Sequence, residues 1–479
     1  MSAIDAAALV GGLRDTFDSQ LTRPLAWRRA QLLALRRLLV ERETELADAL
    51  QQDLGKHPTE SHTTELGFTR NEIDFTLKHL AKWSRSAKVR VPLTLQPASA
   101  RVTPQPLGVV LVLSPWNYPV QLLLAPLCGA LAGCRVSGTR TFALRLHLAR
   151  CFRVKSISLW VKPSELAPAT SAALARWLPE YLDPGAVAVV EGGKDVTTAL
   201  LRERFDHIFF TGGAAVAKIV MAAAAHHLTP VTLELGGKCP AIVSDGDLRA
   251  IARRVAFGKF LNAGQTCVAP DYLLVTRPNV EPLLRHLREV LVEFYGTDVA
   301  DSRDYGRIIN EAHFDRLTGY LDGADVVIGG GSDRARLTIE PTVVMAPPPT
   351  SPLMSEEIFG PILPIIPIDD VGAALCYIRE HPAPLAAYVF TERADVRNAV
   401  ESRVQAGAIG INICAAHLAV PGLPFGGVGA SGMGAYHGKH SFDTFSQLRP
   451  VFSKSTRLDT LRVAYPPYSA AKSALLRRL

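Results

Sequence analysis

Val231-Thr-Leu-Glu-Leu-Gly-Gly-Lys238 and Asn262-Ala-Gly-Gln-Thr-Cys-Val-Ala-Pro-Asp271 decide how this chain is read. The first places one acid, Glu234, at the end of an apolar run and beside the flexible pair Gly236-Gly237. The second puts Cys267 on a small-residue turn between a helical apolar pattern, Ile251 to Leu261, and a strand-like run, Tyr272 to Val275. A thiol on such a turn is reachable by a substrate, whereas a thiol inside a packed helix is not. A free cysteine is most often a small buried hydrophobe, so the pairing of nucleophile and base needs its surroundings to give it meaning.

Those surroundings repeat one pattern, in which an apolar run ends in a polar or glycine-rich turn. In Pro106-Leu-Gly-Val-Val-Leu-Val-Leu-Ser-Pro-Trp-Asn-Tyr-Pro119 the run fits a buried parallel strand, and its C-terminal turn is where open α/β sheets place ligands. Asn117 on that turn either donates its amide to a developing oxyanion or closes a Pro-bounded turn. Phe205-Asp-His-Ile-Phe-Phe-Thr-Gly-Gly213 reads as a strand entering a glycine turn, and Ala214 to Leu228 as the following helix. That order presents free N–H groups and a positive dipole end to a pyrophosphate. Gly427-Val-Gly-Ala-Ser-Gly432 also satisfies G-x-G-x-x-G, but a Pro-rich stretch precedes it instead of a strand, so it is expected to be a loop.

The wording Glu234-Leu-Gly-Gly-Lys238 with Gly264-Gln-Thr-Cys-Val-Ala-Pro-Asp-Tyr272 resembles the aldehyde dehydrogenase superfamily, most closely its class 3 branch. The segment from Leu423 through Ser446 points the same way, and the resemblance extends from about residue 25 to 449. It implies an α/β fold with a Rossmann-like cofactor domain, an α/β catalytic domain and a small bridging or oligomerisation element. The boundaries expected are 1–85 and 107–232 for the N-terminal helices and cofactor domain, 233–418 for the catalytic domain, and 86–106 with 419–479 for the bridging arm and tail.

The function implied is NAD- or NADP-dependent oxidation of medium- or long-chain aliphatic or aromatic aldehydes to carboxylic acids. Cys267 would be the nucleophile, Glu234 the water-activating base and Asn117 an oxyanion donor. Cofactor contacts are expected from Trp116, Lys162, Glu165, Thr211, Gly212, Gly213, Val216, Ala217, Glu357 and Phe359. Lys162 and Glu165, in Lys-Pro-Ser-Glu, would meet the adenosine ribose, and Lys162 also tolerates a 2′-phosphate. Glu357 and Phe359, in Ser355-Glu-Glu-Ile-Phe-Gly-Pro361, lie on the element expected beside the nicotinamide, although the same residues also read as a helix ending at Gly360-Pro361. Class 3 relatives tend to form dimers, so a homodimer is expected.

Two departures stand out. Ala217 occupies a place where the family usually has a glycine, five residues after Gly212, which bears on how closely backbone can approach a ligand. Cys134 to Trp160 is on the order of twenty residues longer than an ordinary connection. It carries Arg135, Arg140, Arg145, Arg150, Arg153 and Lys155 with no acid, and so holds six of the seven net positive charges. The insert reads as a surface excursion, as a basic strand binding a membrane or partner, or as a disruption of the cofactor domain. The last would leave a catalytically impaired relative with a binding or structural role. Lys155 to Val161 alternates apolar and polar residues and can supply the strand expected before Lys162.

Composition excludes several classes. A hydrophobic fraction of 48% with 20% charged residues describes an ordinary globular chain rather than a disordered one. The charge outside the insert is nearly balanced, which argues against nucleic acid as a partner. The seven cysteines show no C-x-x-C or zinc spacing, so no metal site is expected and a reducing cytoplasmic compartment fits. The N-terminal residues carry no basic segment followed by an apolar core, and Gly108 to Gly133 is interrupted by Pro115 and Pro119. Neither a secretory signal nor a membrane span is therefore expected.

Overall fold

The structure, a computed structural model, describes residues 6–19, 21–22, 24–133 and 158–477. Most of the basic insert lies outside the described residues. Its last part does not: Ser158–Lys162 is a strand, paired in parallel with Val109–Leu113 over five residues. The strand expected before Lys162 is therefore in place.

Two sheets, each parallel except for one antiparallel edge strand, form the body of the fold. The first has six strands in the order Gly432–Met433, Val231–Glu234, His207–Thr211, Val109–Leu113, Ser158–Lys162 and Val187–Val189. The chain starts at the central strand Val109–Leu113, builds outward on one side through Ser158–Lys162 and Val187–Val189, and returns to the other side at His207–Thr211. The order reverses between Val109–Leu113 and His207–Thr211, so the crevice at their C-terminal ends is where a doubly wound sheet receives its ligand. Helices Gln121–Ala132 and Pro168–Tyr181 follow two of these strands, and every residue of the first is buried.

The second sheet has seven strands in the order Val326–Ile328, Thr342–Met345, Ile362–Ile368, Tyr272–Thr276, Pro240–Val243, Ala386–Phe390 and Ala408–Ile411. Only its first strand is antiparallel. Ala87–Val89, Ala98–Pro106 and Ser446–Lys454 form a separate antiparallel arm, joining two segments far apart in sequence over nine paired residues. The N-terminal helices behave as their leucine spacing predicts. Leu32, Leu35, Leu38, Leu39, Leu46, Leu50 and Leu54 are all buried, and Gly55 closes the last turn at φ 68°.

Two sequence expectations are corrected here. The strand Val231–Glu234 carries the first sheet across residue 232, so the divide expected at 232/233 cuts a strand and Glu234 belongs to the first sheet. The glycine-rich stretch near residue 430 is not only loop. After a short turn at Gly429–Ser431, Gly432–Met433 pairs antiparallel with Leu233 and Glu234. Gly432 has φ 146°, and a Cβ there would come within 2.4 Å of the Leu233 carbonyl oxygen, an approach that a side chain would prevent. Among the described residues, five cysteines are free, no cluster could hold a metal ion, and no helix is long and apolar enough to cross a membrane.

Candidate active site

A cavity of about 580 Å3 opens between the C-terminal edge of the first sheet and the N-terminal edge of the second. One wall comes from the turns that end strands: Pro115 to Asn117 after Val109–Leu113, Thr211 to Gly213 after His207–Thr211, and Glu234 to Gly236. The other comes from residues that precede strands: Cys267 before Tyr272, Glu357 and Phe359 before Ile362, and Leu385 before Ala386. Nine of the thirteen expected site residues therefore line one space: Trp116, Asn117, Thr211, Gly212, Gly213, Glu234, Cys267, Glu357 and Phe359.

The Cys267 turn is held by a run of unusual backbone. Asn262, Ala263 and Gly264 have φ values of 53°, 51° and 75°. The Asn262 amide donates to Asn117 O at 2.8 Å and to Gln265 O at 3.2 Å, while Gln265 Nε2 donates to Asn262 O at 2.9 Å. Tyr118 and Thr266 share a 2.6 Å hydroxyl contact. Left-handed conformations at non-glycine residues persist only where surroundings over-determine them, and here side-chain amides do so. Asn117 is 3% exposed, and its Nδ2 donates to Gln265 O at 3.0 Å. A side-chain amide has two hydrogens, so one remains for a ligand in the cavity.

The opposite loop is clamped from three directions. Lys238 Nζ donates to Leu353 O at 2.7 Å and Glu356 O at 2.8 Å and pairs closely with Asp271. Asp271 Oδ1 accepts from Ile358 N at 3.1 Å, and Arg316 donates to Ile358 O at 2.9 Å. Phe359 sits at φ 49° with its ring edge-on to Trp116 at 5.5 Å. The helix reading of this stretch covers only Pro352–Ser355. Glu357 lies so close to Gly236 that a Cβ there would fall 2.0 Å from its carboxylate.

A dinucleotide fits these residues. Among the described residues, the helix Ala214–Ala225 begins at Gly213 with no side-chain cap and no acid in its first turn, which suits an anion, and a Cβ on Gly213 would meet nothing within 4 Å. Thr211 Oγ1 is buried and, among the described residues, unpartnered. At the end of Ser158–Lys162, two strands away across Val109–Leu113, Lys162 Nζ meets Glu165 at 2.9 Å, outside the cavity itself. Val216 is half exposed and Ala217 is buried beneath its helix, and neither lines the cavity.

Residues 2–152 and 157–451 match the model of the aldehyde dehydrogenase family. The chain belongs to that family. It is 45% identical over 481 residues to aldehyde dehydrogenase family 3 member H1 of Arabidopsis thaliana, covering 99% of this chain and 95% of that protein. To family 3 member A2 of Macaca fascicularis it is 42% identical, covering 96% and 91%. Among solved structures, the substrate-bound AldH of Staphylococcus aureus superposes with a TM-score of 0.92 at 39% identity, covering 99% of each chain. The NAD+ complex of a Mycobacterium tuberculosis aldehyde dehydrogenase gives 0.80 at 28% identity, covering 93% and 89%. The protein is thus an NAD(P)-dependent aldehyde dehydrogenase of the class 3 type, and it oxidises aldehydes.

The electrostatics of this aldehyde dehydrogenase site follow from burial. Desolvation, followed by the nearby Glu357 and Glu234, pushes the Cys267 thiol up to about 12. Burial, followed by Asp271, pushes Glu357 up to about 8. Burial alone holds Glu234 well above the usual carboxylate range, and among the described residues neither of its oxygens has a hydrogen-bond partner. With Cys267, Glu234 and Glu357 held towards neutrality, the cavity favours an incoming cation, because a positive charge beside them restores their charged forms.

Sequence reading missed His313 and Arg316, which also line the cavity. His313 packs against Trp116 at 5.2 Å, and burial, followed by Arg316, lowers its pKa. Arg316 joins Tyr320, whose hydroxyl donates to Glu356 at 2.7 Å. The available signal was their i, i+3 spacing on the helix Glu311–Gly319, which puts both on one face.

Proposed function

We propose that this aldehyde dehydrogenase oxidises medium- or long-chain aliphatic or aromatic aldehydes through covalent attachment to Cys267, with NAD+ or NADP+ as oxidant. The observation that carries this reading is the convergence of Cys267, Glu234, Asn117, Glu357 and Phe359 on one cavity that Leu122, Leu235, Leu385 and Phe425 also line. The thiolate of Cys267 adds to the carbonyl carbon, and the resulting oxyanion is held by Asn117 Nδ2 and the Cys267 backbone N–H. The oxidised nicotinamide, when bound, supplies the hydride acceptor and a positive charge beside the thiol. Loss of hydride leaves a thioester. Glu234 then takes a proton from water as its oxygen attacks the acyl carbon, the C–S bond breaks, and the carboxylic acid leaves.

Glu357 and Phe359 hold the nicotinamide side, Thr211 to Gly213 the pyrophosphate, and Lys162 with Glu165 the adenosine ribose. Trp116 flanks the cavity at Phe359, while Val216 and Ala217 lie beyond it along the same helix. Lys162 is tied to Glu165, a pairing suited to ribose hydroxyls, while its ammonium also suits a 2′-phosphate, so both cofactors are part of the proposal. The arm formed by 87–89, 98–106 and 446–454 exposes Val89, Leu448 and Phe452, which supports a homodimer, and the free thiols support a cytoplasmic location.

The test is kcat/KM across straight-chain aldehydes of two to twelve carbons with each cofactor. It should rise with length at about threefold or more per methylene until the apolar wall is filled. A flat profile would remove the apolar-substrate reading, and separate titrations of NAD+ and NADP+ followed by thermal stabilisation decide the cofactor.

A further inference from the structure

Glu234 has to be held somewhere while it activates water, and the face of the sheet it projects from supplies a candidate partner. In a strand alternate side chains share a face, so Glu234 lies on the same side as Thr232. Thr232 pairs in register with Phe209 on the neighbouring parallel strand, which puts Phe209 on that side as well. The ring of Tyr436 stands edge-on to Phe209 at 5.2 Å and to Phe425, a cavity-lining residue, at 5.6 Å. Tyr436 therefore covers the face from which Glu234 projects. The pairing of Gly432 with Glu234 and the bridge between Phe425 and Tyr436 fix the chain on either side.

Tyr436 is fully buried, and among the described residues its hydroxyl has no hydrogen-bond partner. The carboxyl group of Glu234 is in the same condition. Two unpartnered buried groups of complementary type on one face, one a donor and one an acceptor, are costly apart and favourable together. Burial and the nearby Glu234, Cys267 and Glu72 keep the phenol protonated, so it remains a donor at any working pH. Behind it, His437 stacks on the Tyr436 ring at 4.1 Å and lies 3.6 Å from Glu72, which fixes the ring in place.

We propose that Tyr436 is a positioning residue for the deacylation step: its hydroxyl donates a hydrogen bond to the ionised Glu234 carboxylate and holds it in the water-activating position. This rests on Glu234 being the base. No bond to substrate is made or broken by Tyr436. Its effect is to favour the charged form of Glu234, and so to set the pH above which thioester hydrolysis proceeds. The other titratable groups around the pair are Cys267 and Glu357 across the cavity, Glu72 and His437 behind the ring, His417 beside His437, and His207 on the adjoining strand. Burial holds His207 and His417 at about 4 and therefore neutral.

The experiment is the lifetime of the acyl group on Cys267, followed by rapid quench and mass measurement after mixing the protein, NAD+ and one equivalent of hexanal or benzaldehyde. Tyr436→Phe keeps every ring contact and removes an unpartnered hydroxyl, so its melting temperature should equal or exceed that of the parent. Its acyl lifetime should lengthen about ten- to hundredfold, the effect of losing a hydrogen bond to a charged group. The pH midpoint of acyl decay should move up by about one unit or more, while the first-turnover rate of NADH formation stays unchanged. Combined with Glu234→Gln, the tyrosine substitution should add nothing further. An unchanged lifetime and midpoint in folded Tyr436→Phe, beside a Glu234→Gln variant that does accumulate acyl group, overturns the role of Tyr436 alone. A Glu234→Gln variant that hydrolyses the thioester at the parent rate overturns the base assignment and this inference with it.

Discussion

Glu234, which lines the cavity, and Glu65, which lies behind its wall and reaches Asn117 through Lys56, are both buried carboxyl groups, and they are treated in opposite ways. Glu65 Oε1 meets Lys56 Nζ at 2.5 Å, and its Oε2 accepts from Val120 N at 2.8 Å and Gln121 N at 3.3 Å. Lys56 also donates to Asn117 O at 3.0 Å and lies over the Tyr118 ring at 3.9 Å. Every polar atom of that pair has work within the framework, and the outcome is a fixed backbone at Asn117. Glu234 has burial and, among the described residues, no hydrogen-bond partner. A satisfied buried ion pair rigidifies its surroundings, whereas an unsatisfied buried acid is held away from its charged form and stays available for proton transfer. Equal burial therefore accompanies a paired framework acid in one case and, on the proposed function, a reactive one in the other, and the hydrogen-bond partners separate them.

The widest contrast between framework and chemistry comes from the thiol. Cys267→Ala should lower aldehyde oxidation by about 10^4-fold or more with little change in melting temperature, as for loss of a nucleophile. Substantial remaining turnover would refute the covalent route. The two acids are compared next. Lys56→Met strands Glu65 and should destabilise the fold by about 3–5 kcal/mol in urea unfolding. Glu234→Gln should instead reduce thioester hydrolysis by about 10^2- to 10^4-fold.

The stability of the Glu234→Gln variant sharpens the comparison through its pH dependence. Glu234 in the folded state keeps its proton above the pH at which the unfolded chain releases it. At pH 4 both states hold that proton and it contributes no difference. Above the unfolded value the parent loses stability as pH rises, and the variant does not, so the difference between them should shift in favour of the variant from pH 4 to pH 7. A shift in favour of the parent would mean that Glu234 is charged and has a partner in the folded protein. The last effect is graded, small at each step: alkylation of Cys267 in the cofactor-free protein should rise about tenfold per pH unit from 7 to 10 without a plateau, because burial pushes its thiol up to about 12. A plateau below pH 9, followed by mass spectrometry, would place the thiolate in the resting site.

Cys267, Glu234 and Asn117 were legible because each ends or begins an apolar run at a polar turn, a pattern visible without coordinates. Thr211 to Gly213 were legible for the same reason, as a strand, glycine turn and helix in order. His313 and Arg316 were not, since an ordinary amphipathic helix carries them and only its placement brings one face to the cavity. Lys238 and Asp271 stood in plain view within the quoted motifs, but their role in clamping the Glu357 loop depends on contacts across 87 to 118 residues. The boundary expected at 232/233 falls inside Val231–Glu234 because the apolar alternation of Val231, Leu233 and Leu235 runs unbroken through that point and the first turn residues come only at Gly236-Gly237.

By itself the sequence determined an α/β chain, several strands that end in polar or glycine turns and the candidate residues on those turns, because strand periodicity and turn residues are local properties; the division into a cofactor and a catalytic domain came only from the family resemblance. Tertiary structure decided which edges face each other, which buried acids find partners, and how Gly432–Met433 and Tyr436 from the C-terminal segment come to flank Glu234. Those outcomes depend on long-range packing and desolvation. Neither is written in the order of neighbouring residues.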